Sequence, residues 1–86
     1  MAPNAPSAVV RRMFALFNEG GVGGAQERAG RLAVSSYVTW RCIASTNDLA
    51  EADIRAIVVT LEYWRATGQI EYRCRRIAES MQGVSP

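Results

Sequence analysis

The chain has 86 residues, 49% of them apolar and 21% charged, with a net charge of +2. That is room for one globular domain, and the composition excludes a disordered polyelectrolyte. No apolar run reaches the roughly eighteen residues of a membrane span, and the absence of histidine removes the usual general base and the usual zinc ligand. All ten basic residues are arginine. GC-rich codon usage in a bacterial or phage gene explains this bias more simply than a demand for bidentate phosphate or carboxylate contacts does.

Residues 1–6, MAPNAP, read as a loose proline-bearing leader. The N-terminus lacks the basic start and long apolar stretch of a secretory signal, so the expected compartment is the cytoplasm. Ser7 stands where an N-cap belongs, ahead of a first helix over 7–19. Val9, Val10, Met13, Leu16 and Phe17 recur at helical spacing, with Arg11 and Arg12 opposite. Gly20 and Gly21 stop the pattern. The glycines of 20–24 follow no strand and precede no lysine, so they read as a linker and not as a phosphate cradle.

A second helix is expected over 26–45, with Ala29, Leu32, Ala33, Ser36, Trp40 and Ile43 on one face. On that reading Val34 and Val38 lie on the outer side. The β-branched and aromatic stretch 34–43 keeps a short strand open as an alternative. Asp48 as N-cap with Glu51 three places later predicts a third helix over 49–66, ended by Gly68. Its core stripe is Ile54, Ile57, Leu61 and Trp64. A second stripe of Ala52, Ala56, Val59 and Tyr63 is either internal or a contact with a second copy of the chain, and a homodimer is expected.

The segment 69–82 predicts a fourth helix, with Ile70, Cys74, Ile77 and Met81 in one stripe and Tyr72, Arg73, Arg75, Arg76 and Glu79 around it. Strand alternation over 69–75 is the competing pattern, but it does not extend to Met81. The expected fold is therefore all-α, a small compact bundle of about four helices.

Function is less legible. Glu51, Asp53 and Glu62 are carboxylates on one helix, yet capping and surface ion pairing account for them, and Ser35, Ser36 and Cys42 have no histidine to activate them. Cys42 and Cys74 are expected to be buried free thiols and not a disulfide. No catalysis, cofactor or metal is implied. The segment from Asp48 through WRATGQIEYRCRR is similar in texture to a winged helix-turn-helix, where a recognition helix ends in glycine and a basic strand follows. It departs from that pattern in having one unbroken helix where two short ones belong, and no returning strand after Arg76. The resemblance implies DNA binding through the arginine-rich segment. The reading favoured here is a small binding or regulatory protein, an adaptor or inhibitor, whose Tyr72, Arg73, Arg75 and Arg76 contact another protein.

Overall fold

The computed structural model describes residues 7–83, with side chains through Ser80. The leader 1–6 and the side chain of Met81 lie outside the described residues. Four helices carry the architecture: α1 (Ser7–Glu19), α2 (Arg28–Thr39), α3 (Glu51–Ala66) and α4 (Ile70–Gly83). Single 3₁₀ turns at Ala25–Glu27 and Thr46–Asp48 precede α2 and α3. There is no strand among the described residues, so neither 34–43 nor 69–75 pairs as β structure. No described helix is long and apolar enough to cross a membrane.

Helices pair by alternation, α1 mainly against α3 and α2 mainly against α4. Exposed ion pairs Arg12–Glu62 at 2.9 Å and Glu19–Arg65 at 2.6 Å advance along α1 and α3 together, so these two run in the same sense. Gly30, early in α2, lies against Ala78, late in α4, and Tyr37, late in α2, lies beside Tyr72, early in α4. That pair is antiparallel. Met13, Leu16, Phe17, Val34, Ile57, Leu61 and Cys74 form the centre of the core, each at most 1% exposed.

Helix ends explain where the elements stop. Gly21 at φ +82 and Gly68 at φ +73 end α1 and α3. After each, the next amide reaches back to the carbonyl five residues earlier: Val22 to Phe17 at 3.0 Å, and Gln69 to Trp64 at 2.7 Å. This is the paired-bond terminus that a left-handed residue permits. The connection 20–24 is a linker in topology but is packed against the bundle, with Gly20 and Val22 buried. Arg31 holds it, donating from Nη1 to Val22 O at 3.0 Å and to Gly24 O at 2.6 Å, while its guanidinium lies 5.8 Å from the Phe14 ring centre.

Helix α2 differs from expectation in length and rotation. It stops at Thr39, because Trp40 adopts φ 60 and returns its amide to Ser36 O at 2.9 Å. Ser36 Oγ then accepts from Ile43 N at 2.9 Å, folding the chain back so that Ile43 is buried while Trp40 is 92% exposed. Val34 is not on the outer side but fully buried, and Val38 packs against the core half-buried. The cause is close approach to α4: a Cβ at Gly30 would lie 3.2 Å from Val22 and 3.4 Å from Ala78. Small residues Gly30, Ala33 and Ser35 face inward with Val34, while Leu32 stays half-buried against the core and Trp40 turns out to solvent. The strand-like composition of this stretch is accommodated because Ser35 and Thr39 donate to the carbonyls one turn back, Arg31 O and Ser35 O, both at 2.8 Å.

The start of α3 also departs from expectation. Asp48 does not cap α3. Its carboxylate accepts from Ala44 N at 3.2 Å and Ser45 N at 3.1 Å, closing the preceding 3₁₀ turn, and Ser45 Oγ accepts from Asn47 N at 3.2 Å. Ala50 occupies the N-cap position, and Asp53 accepts its amide at 2.9 Å. Glu51 instead pairs with Arg55 at 2.8 Å, the i, i+4 bridge its spacing suggests.

Candidate protein-interaction face

Helix α4 buries Ile70, Cys74, Ile77 and Ala78, and so turns its arginines outward. They do not face one way. Residues on a helix advance by about 100° each, so Arg73 and Arg75 are separated by about 200°. Arg75 lies on the flank beside α1, pairing with Glu71 at 3.3 Å and lying close over Gly21. With Glu27 and Glu79 it rims a shallow depression of about 180 Å³. Its charge is offset there.

Arg73 and Arg76 take the other flank, facing α2. They line a groove of about 310 Å³ with Tyr37, Tyr72, Ile77 and Ser80. Each guanidinium is steadied by an aromatic ring: Arg73 Cζ is 5.7 Å from the Trp64 ring centre, and Arg76 Cζ is 5.9 Å from that of Tyr72. Both distances are within cation–π range. Arg73 also donates from Nε to Gln69 Oε1 at 2.9 Å. Trp64 in turn lies 6.4 Å from Tyr37, so one aromatic platform joins α2, α3 and the arginines of α4.

The groove holds no carboxylate among its lining residues, and among the described residues neither Arg73 nor Arg76 enters an ion pair. A neighbouring ring accepts no conventional hydrogen bond from a guanidinium, so N–H groups of Arg73 and Arg76 remain for an acceptor. The hydroxyls of Tyr37, Tyr72 and Ser80 can add further donors. Such a site accepts an anion flanked by apolar atoms.

Of the four residues singled out by sequence, Tyr72, Arg73 and Arg76 come together and Arg75 does not. Tyr37, Gln69 and Ser80 complete the site. The i, i+4 spacings of 69 to 73 and 76 to 80 carried the signal for the last two. The carboxylates of α3 are engaged elsewhere: Glu62 with Arg12, Glu51 with Arg55, and Asp53 with Arg41 and the Ala50 amide. Ala52, Ala56, Val59 and Tyr63 are all exposed on the outer face of α3, so that stripe is not internal among the described residues.

The fold is that of a small all-α bundle carrying a cationic, aromatic-walled groove. Comparison with protein-family models, with curated proteins and with solved structures finds no match for this chain.

Proposed function

We propose that this is a small non-catalytic binding protein, an adaptor or inhibitor, that docks its α2–α4 face on an acidic segment of a larger partner protein. The observation that supports this reading is the presentation of Arg73 and Arg76 on Trp64 and Tyr72 in a groove without a carboxylate. Buried ionic neighbours would have consumed these charges, whereas here they are pre-positioned for an incoming acid. Tyr37 and Tyr72, 51% and 65% exposed, supply apolar contact beside the charges, the pairing of residue types enriched at interface hot spots. The exposed free thiol of Cys42 supports a reducing, cytoplasmic setting.

DNA is the rival target, and Glu71 and Glu79 on the same helix weigh against it, as does a net charge of only +2. Salt separates the two. Phosphate contacts release condensed counterions, so duplex affinity falls by about one log–log unit per contact as salt rises, while a protein interface loses mainly association rate. A pull-down from source-cell lysate, run beside a duplex mobility shift at two salt concentrations, is expected to yield one acidic protein and no specific duplex binding. Salt-sensitive duplex binding abolished in Arg73→Ala/Arg76→Ala would overturn the reading in favour of a DNA-binding regulator.

A further inference from the structure

The outer face of α3 is apolar and uncovered: Val59 is 66% and Tyr63 64% exposed, and Ala52 and Ala56 continue the stripe toward the helix start. Beside it, Ala8, Val9, Val58 and Val59 wall an apolar groove of about 320 Å³ between α1 and α3, edged by Arg12 and Arg55. A patch of this kind on a chain this small marks an interface.

We propose that a second copy of the chain covers this face, with the two α3 helices antiparallel about a two-fold axis between Ile57 and Val58. The sequence of the face is self-complementary in that register. Tyr63, the largest residue of the stripe, falls opposite Ala52 of the second copy, and Val59 falls opposite Ala56. Each large side chain meets a small one, which lets the helices approach closely. The charges follow the same symmetry. Arg55 and Glu62 lie on one flank of α3, and in an antiparallel pair like flanks meet, so Arg55 of each copy comes beside Glu62 of the other. Within one chain Arg55 pairs with Glu51 and Glu62 with Arg12. The two-fold joins these pairs into an alternating row, Glu51, Arg55, Glu62 and Arg12, repeated in both directions. A parallel arrangement would set Tyr63 on Tyr63 and carry the Arg55–Glu62 flanks of the two copies to opposite sides of the contact, leaving their charges unmatched. A foreign partner has no reason to match this palindrome, whereas an isologous contact requires one.

The test uses charge reversal and mixing, read by sedimentation at tens of micromolar, with circular dichroism confirming that each variant keeps its helices. Wild type is expected to sediment as a dimer. Arg55→Glu and Glu62→Arg, each alone, place like charges together twice per interface and are expected to shift to monomer, with the dissociation constant raised at least tenfold. An equimolar mixture of the two variants restores both attractive pairs and is expected to return to the dimer mass. A monomeric wild type would overturn the proposal. A dimer that survives both single reversals would overturn the antiparallel register, since in a parallel pair Arg55 and Glu62 of the two copies do not meet.

Discussion

Trp40 sits in the left-handed region at φ 60 with its indole 92% exposed. That conformation costs a residue with a Cβ about 1–2 kcal/mol, and glycine almost nothing. An indole in water contributes little in return. Trp40→Gly is therefore expected to be neutral or stabilising by up to about 1 kcal/mol, the relief of strain being partly offset by the freer unfolded chain. For a domain of this size that corresponds to a rise in Tm of up to roughly 4–8 °C, measurable by thermal melt. A fall of several degrees would mean the indole is packed. Cys74 is the opposite case, 0% exposed, and burial pushes its thiol up from 9.0 to about 11. Ionisation of the unfolded chain precedes that of the folded one, so this thiol's contribution to stability holds below about pH 9 and falls as pH rises from there toward 11. At pH 8 a thiol reagent is expected to modify the exposed Cys42 at once and Cys74 only on unfolding. Two equally fast equivalents would contradict the packing of α4.

At the scale of elements, Gly20 at the end of α1 is pressed against Cys74 of α4. A Cβ on Gly20 would lie 2.7 Å from Cys74 Sγ and 3.2 Å from its Cβ. Gly20→Ala is expected to destabilise by about 1–3 kcal/mol, as overpacking does. In a Cys74→Ala background the same change should cost distinctly less, because the sulfur is gone. Denaturant midpoints around this double-mutant cycle check it, and strict additivity would contradict the contact. The same elements show what a sequence can reveal. Core stripes of α1, α3 and α4 were legible because large apolar residues recur there at helical spacing, from Met13, Leu16 and Phe17 to Ile54, Ile57, Leu61 and Trp64. The rotation of α2 was not, because Gly30, Ala33 and Ser35 set it by letting α4 come near, and small residues carry little weight in a hydrophobic pattern. The end of α2 and the start of α3 were also hidden. Ser36, Ser45, Asp48 and Asp53 each bind a nearby amide there, and which amide a short polar side chain takes depends on a chain path that periodicity does not encode.

On the scale of the whole molecule, the two uncovered surfaces share no residue. The cationic groove belongs to α2 and α4 and the apolar stripe to α3, so a dimer through α3 leaves both copies of the groove open. A bivalent molecule binds a repeated or clustered acidic target more tightly than one groove does, without any new contact. The arginines of α4 were legible as a cluster, and the division of Arg75 from Arg73 and Arg76 was implicit in helical rotation. What needed the structure was Trp64 and Tyr37 behind them, brought from other helices. On the proposed reading Arg73 and Arg76, and not Arg75, carry recognition. Affinity of the captured partner protein for three forms of the chain, at one salt concentration, tests it most directly. Arg73→Ala/Arg76→Ala is expected to weaken binding by about tenfold or more, as loss of hot-spot arginines does. Arg75→Ala, which removes only an exposed pair with Glu71, should stay within about twofold of wild type. Equal losses in both variants, or a loss confined to Arg75→Ala, would contradict the assignment of the groove as the binding site.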